Sequence, residues 1–316
     1  MTDTQARQDQ PGHGQAGFRH EAFFYSGADD FVGGTVSFVE EGLRAGQPVM
    51  VALVPEKLEL LRGALGDDAA RVLFADMLEL GRNPARIIPA WRRFVEEHGG
   101  HATLRGIGEP IWAARDEDEL VECQRHEALL NMAFDGGRPW SLLCPYDAGA
   151  LGAEVLHEAR RSHPYLAERH GVSASAEYVA SPAVFDGPLP EPALVDGELA
   201  FDGDTLRHAR AVVSLWAAGV LGAPRAGDLV LAVHEVAANS VRHGGGSGTL
   251  RYWRAGASAV VEVRDAGRFE KPLAGREMAP PGDEKGRGLW LAQQLCDLVQ
   301  LRSSPQGSAV RLHVDG

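Results

Sequence analysis

Glu235 and Asn239 lie four residues apart in the stretch HEVAANSVRHGGG, residues 234–246. On a helix that spacing is one turn, which brings their Cβ atoms about 5–6 Å apart on one stripe. A carboxylate so placed can orient or deprotonate a nucleophile. The amide oxygen of an asparagine can ligate Mg²⁺, which takes oxygen donors and keeps several waters. A partly solvated helix face would carry the same pair. Downstream, Asp265 ends the run SAVVEVR and is followed by Ala266 and Gly267. An aspartate there can accept a hydrogen bond from an exocyclic amine, and the glycine lets a flat base approach the backbone. Taken alone, DAG also reads as an ordinary turn. In GRGLWLAQQLCDLV, Gly286, Arg287, Gly288 and Leu289 open an apolar helix. Glycines at a helix N-terminus free backbone N–H groups for a phosphate, helped by the helix dipole. One GxG is weak by itself.

These residues need elements to hold them. A helix near 204–218 and a second over 228–243 precede two apolar strands, TLRYWRAG and SAVVEVRDAG. The polar stretch RFEKPLAGREMAPPGDEK, broken by prolines, has the composition of a lid or of any surface loop. Another helix over GLWLAQQLCDLV and a short strand at SAVRLHVD complete the segment. Helices set apart from an antiparallel-looking sheet predict an α+β two-layer sandwich. Val233, Val236, Ala237, Ser240 and Val241 form the core face of the second helix, leaving Glu235 and Asn239 to another.

The first half reads differently. PVMVALVP, RVLFADM, ATLRGIGEPIW and WSLLCPYD are apolar runs of strand length. Between them, DFVGGTVSFVEEGLRAG and the stretches 84–98 and 116–134 carry helical periodicity. Alternation of this kind predicts an α/β doubly wound parallel sheet, with its ligand crevice at the carboxyl ends of the strands. The Pro-rich run SPAVFDGPLPEPALVDG divides the two halves. The expected organisation is a flexible tail (1–17), an N-terminal domain (18–180), a linker (181–196) and a C-terminal domain (197–316).

Composition bounds the chemistry. With a hydrophobic fraction of 44% and a charged fraction of 24%, the 316 residues suit folded globular domains. The net charge of −13 argues against direct nucleic-acid binding, which needs a basic footprint. Cys123, Cys144 and Cys296 lie far apart without a CxxC pair, so neither a disulfide framework nor a zinc ribbon is expected. The tail has no apolar signal segment, and the apolar run AVVSLWAAGVLGA is too short to span a bilayer. A cytoplasmic protein without a membrane segment is the expectation.

The ordered set ExxxN, DxG, a polar stretch and GxGL resembles the GHKL ATP-binding superfamily, which holds gyrase and the histidine kinases. It is most similar to the anti-sigma-factor serine kinases. The resemblance covers roughly residues 196–316 and implies ATP and Mg²⁺ as cofactors. It makes Glu235 the general base and Asn239 the magnesium ligand. Asp265 with Gly267 would read adenine, and Gly286, Arg287, Gly288 and Leu289 would line the phosphates. Its implied partners are an anti-sigma-factor antagonist and a sigma factor, and a homodimer stays open. DAGRF lacks the second glycine usual in histidine kinases, with Arg268 read at its place, and the anti-sigma branch often lacks that glycine too. A histidine kinase would need a phosphoacceptor, for which only His157 in LHEARRSHP offers itself, without a second long helix to form a hairpin.

Residues 20–164 resemble the MEDS sensory domain, a RecA-like module, through RHEAFFYSG, EEGL, LRGIGEPIW, ECQRHEALLN, LLCPYD and EARRSHP. The turn SGADDFVGGTVSF lacks the lysine of a phosphate loop and carries Asp29 and Asp30 instead, so ATP is not expected there. The resemblance implies a small organic ligand, still unidentified. Candidate contacts are His20, Arg105, Glu109, Glu127, Cys144 and Tyr146. Internal pairing, for instance of Arg105 with Glu109 or Glu127, would equally explain these polar residues. The spacing of His20 and Cys144 neither supports nor excludes a metal.

Overall fold

The computed structural model describes residues 17–100, 103–168, 171–277 and 286–316. Nearly all of the expected tail, and the 278–285 part of the expected lid, lie outside the described residues.

In the N-terminal domain the chain runs β1 (Phe18–Tyr25), α1 (Ala28–Arg44), β2 (Val49–Leu53), α2 (Pro55–Leu65), β3 (Val72–Asp76) and α3 (Met77–Leu80). It continues with α4 (Ile87–Glu97), β4 (Leu104–Gly108), α5 (Glu117–Ala133), β5 (Trp140–Asp147), α6 (Ala153–Ser162), β6 (Tyr165–Glu168) and β7 (Gly171–Ala174). The sheet order is β3-β2-β4-β5-β1-β6-β7, parallel except for the terminal β6–β7 hairpin. Strand alternation sorts side chains to two cores. Phe23, Tyr25, Val51, Ile107 and Leu143 face α1 and α2. Ala22, Leu142, Cys144 and Tyr146 face α4, α5 and α6. Helices on both faces make the sheet doubly wound. At the turn into α1, Asp29 and Asp30 occupy the first helical turn, and Asp30 accepts a hydrogen bond from Ser26 N at 3.0 Å. Carboxylates thus hold the position where a phosphate loop would bind anions.

The C-terminal domain runs β8 (Gly197–Asp202), α7 (Leu206–Ala218), α8 (Ala223–His243), β9 (Ser247–Ala255), β10 (Ser258–Asp265), α9 (Arg287–Leu295), β11 (Leu298–Ser304) and β12 (Gly307–Asp315). Its antiparallel sheet has the order β11-β12-β10-β9-β8. Val261, Val263, Val299, Leu301, Val310 and Leu312 pack against Val213, Leu229, Val233, Val236 and Ala292 of the three helices. The result is the two-layer sandwich expected. One extent is corrected: the helix predicted through CDLV ends at Leu295. Cys296 is already extended (φ −92, ψ 152), Asp297 N donates to His313 O, and Leu298 begins β11. An apolar run of that length reads as helix or buried strand alike.

The sheet's other face is charged. Glu262, wholly buried at its centre, is held by Arg251, Arg264 and Arg311. The Pro-rich segment lies along this face. Arg302 and Arg311 donate to the carbonyls of Gly187 and Pro190, while Glu191 pairs with Arg251 and Arg264. A linker composition therefore also serves to cover a polar sheet face.

Candidate functional site

Helix α8 begins with a proline in its first turn and buries Leu229, Ala232, Val233, Val236, Ala237 and Ser240. Glu235 and Asn239 fall between that face and solvent, half-buried. The helix stops at Gly244, and Gly245 and Gly246 adopt φ of 94° and 92°. Only glycine takes that conformation without strain, and it turns the chain directly into β9. The three glycines are thus a helix stop.

Helix α9 brings its N-terminus onto the Glu235 stripe. A Cβ built on Gly288 would meet Glu235 Oε2 at 2.6 Å and Asn239 Nδ2 at 3.4 Å. A side chain at this position would press on the end of Glu235. Gly286 caps the helix in the left-handed region (φ 89°), and no side chain caps the first turn. Arg287 and Leu289 follow, the first exposed and the second buried in the core. Asn239 Oδ1 accepts from Arg242 Nη2 at 3.2 Å.

At the far end of α8, Asp265 meets the helix stop. Its Oδ1 accepts from Gly267 N at 2.8 Å and from Ser308 Oγ at 2.7 Å. Its Oδ2 lies over Gly244, where a Cβ would come within 2.6 Å. Two hydrogen bonds fix the carboxylate's orientation. Ser308 has no signal in the sequence, because only the β10–β12 register, Asp265 opposite Ser308, brings it there. Gly288 thus meets Glu235 and Asn239 along α8, while Asp265 and Gly267 meet Gly244 at the end of the same helix.

The N-terminal domain grips the opposite end of α9. Arg86 donates from Nε to Gln293 O at 3.0 Å, and from Nη2 to Gln294 O at 2.8 Å and Cys296 O at 2.7 Å. Asn83 Nδ2 donates to Gln293 O at 3.0 Å. An arginine here satisfies the last carbonyls of the helix and complements its dipole. Nearby, the buried Glu122 of α5 pairs with Arg302 of β11 at 2.6 Å.

The six sensory candidates do not converge. Their strand parity divides them between the two faces of the sheet. Arg105, on the α1 face, donates to Gln47 and to Phe38 O and pairs with Glu41 at 3.2 Å. Glu109, near the carboxyl ends of the strands, accepts from Tyr25 and Lys57. Burial raises Glu109 to about 7, against the opposing effect of Lys57. Neither pairing expected for Arg105 forms. His20, Glu127 and Cys144 do meet, on the α5 face, with Tyr146 close by through the ring of His163. His163 completes this buried group and was missed as a candidate, although it stands in the quoted EARRSHP. A groove of about 810 Å³ opens elsewhere, between α1 and the β6–β7 hairpin, with Arg19, Glu21, Asp29, Asp30 and Arg105 along it. His157 is more than half exposed on α6 and pairs with Glu177 at 2.8 Å. That helix has ten residues and leads into β6, so no helical hairpin presents the imidazole. Among the described residues, no helix is long and apolar enough to cross a membrane.

Two family models match separate parts of the chain. Residues 19–164 match the family model described as MEDS, the methanogen/methylotroph, DcmR sensory domain. Residues 199–314 match the histidine kinase-like ATPase domain. No curated protein matches the chain. Among solved structures, the crystal structure of the RsbU and RsbW domains of Rv1364c from Mycobacterium tuberculosis is 20% identical, with a TM-score of 0.28. That match covers 38% of this chain and 32% of that one.

Proposed function

From a chain that carries a MEDS domain followed by an ATP-binding, histidine kinase-like ATPase domain, we infer a signalling regulator that phosphorylates a serine or threonine of a protein. By its resemblance to the anti-sigma-factor kinases, the substrate is an anti-sigma-factor antagonist and a sigma factor is the second partner. The MEDS domain is read as the sensor of a small organic ligand.

One observation carries this reading: Gly288 at the N-terminus of α9 lies against both Glu235 and Asn239 of α8. The residues suit a magnesium nucleotide. An uncapped helix N-terminus at Gly286–Leu289 presents N–H groups to phosphates. Asn239 offers an amide oxygen to Mg²⁺. Asp265, held by Ser308 and Gly267, offers Oδ2 to an exocyclic amine beside Gly244. Bound ATP supplies the γ-phosphoryl group, with magnesium offsetting its charge. Glu235 would accept the proton of the substrate hydroxyl as its oxygen bonds to the γ-phosphorus, while the bond to the β,γ-bridging oxygen breaks and ADP leaves. Helix α9, about 13 Å long, runs from this site to Arg86 of the MEDS domain. It is the element through which sensor and kinase would influence each other.

A second reading, an ATP-binding docking module without phosphotransfer, is favoured by Arg242, which engages the oxygen of Asn239 assigned to magnesium. The two are separated by incubating the chain with γ-labelled ATP, Mg²⁺ and lysate proteins. Acid-stable label on serine or threonine supports the kinase. Nucleotide-dependent capture of partners without label supports the docking module, and acid-labile label on His157 would support a histidine kinase.

A further inference from the structure

We propose that His20, Glu127, Cys144 and His163 bind a tetrahedral divalent transition-metal ion, Zn²⁺ by the chemistry of the set. Each offers one ligand atom, all four residues are buried, and the four atoms lie within 4.8 Å of one another. His20 Nε2 is 2.9 Å from Glu127 Oε2 and 3.3 Å from Cys144 Sγ. Glu127 Oε2 is 3.5 Å from Cys144 Sγ and 3.3 Å from His163 Nε2. Zinc bonds of about 2.0–2.3 Å at tetrahedral angles separate donor atoms by about 3.3–3.8 Å. The four separations of 2.9–3.5 Å lie near that spacing, and the other two pairs, within 4.8 Å, would close by at most about 1.5 Å.

The hydrogen bonds around the group argue more strongly than the distances. Asn131 Nδ2 donates to Ser162 O at 2.8 Å, which fixes the amide so that its Oδ1 faces His20 Nδ1 at 3.1 Å. His20 must therefore carry its proton on Nδ1. His163 Nδ1 lies 2.7 Å from Ala159 O, an acceptor, so it too is the protonated nitrogen. In the neutral form of each ring, that tautomer turns the Nε2 lone pair toward a carboxylate oxygen that can only accept. The Cys144 thiol carries the one proton available among four electron-rich atoms. Unfilled acceptors buried together are costly, and His163 Nε2 has no hydrogen-bond partner. A dication removes the conflict. Donation from the remote nitrogen of each ring to an oxygen is the arrangement that orients metal-bound imidazoles. Two imidazoles, a thiolate and a carboxylate at tetrahedral spacing suit zinc rather than an oxygen-seeking ion.

The ligands come from β1, α5, β5 and the residue after α6, so the ion would tie the first strand of the domain to its last helix. Two imidazoles, a thiolate and a carboxylate fill a four-coordinate shell, which describes a closed site.

The test uses the full chain. Protein expressed in zinc-replete medium and purified without chelator or metal resin should carry one zinc per chain by mass spectrometry. After refolding with Co²⁺ it should display tetrahedral ligand-field bands with a thiolate-to-cobalt charge-transfer band. Cys144→Ser should lose the charge-transfer band, and His163→Gln should lose most bound metal. Metal-free protein that takes up neither ion overturns the proposal, as does a charge-transfer band surviving in Cys144→Ser. Should the variants not fold, X-ray absorption of the wild-type zinc decides. One sulfur and three lighter neighbours sustain the site; a shell without sulfur refutes it.

Discussion

Gly288 and Glu235 approach so closely that a single methyl on the glycine would stand 2.6 Å from the Glu235 carboxylate oxygen. With no side chain at residue 288, the N-terminus of α9 lies directly on the Glu235 and Asn239 stripe of α8. Gly288→Ala should force the Glu235 carboxylate aside at the point where phosphates are proposed to be held. ATP affinity, read by titration calorimetry, should fall at least roughly tenfold, about 1.4 kcal/mol. An unchanged affinity would show that this contact does not shape the nucleotide site.

Arg86 joins the two domains at three main-chain carbonyls of the α9 terminus. Truncating it to alanine strands those carbonyls and should cost about 1–3 kcal/mol. Calorimetry should then resolve separate unfolding transitions for the two domains where the wild type unfolds as one. Any effect of a MEDS ligand on phosphotransfer should weaken in the same variant.

Glu109 gives the fold a pH dependence of defined sign. Burial raises its folded-state pKa to about 7 from the ordinary carboxyl value of 4.5. Between those two values the folded state binds more protons than the unfolded chain, so this group's contribution to stability falls as pH rises through the window. In Glu109→Gln that slope should disappear. Chemical denaturation of both proteins at closely spaced pH values measures it.

The residues proposed for the nucleotide site could be picked from the sequence because each chemistry requires a local pattern. One helical turn separates Glu235 from Asn239, and glycines must precede a helix that meets a phosphate. Ser308 and Gly244, which fix Asp265, were not legible in these roles. Their parts depend on strand register and on where a helix stops, which are tertiary facts. The same reason explains the sensory candidates. Polar residues in apolar strands could be picked out, but strand parity sends Arg105 and Glu109 to one face and His20, Cys144 and Tyr146 to the other. His163 joins that second group only after α6 folds back over the sheet. The end of α9 was misjudged because CDLV suits a buried strand as well as a helix, and strand pairing with His313 decides between them.

The most direct measurement compares the wild type with Glu235→Gln for ATP binding and for transfer of labelled phosphate to serine or threonine. Nucleotide held equally by both proteins, with transfer reduced by at least roughly a hundredfold in the variant, is the expected result. Equal rates of transfer, or a wild type that does not bind ATP, would contradict the account at its centre.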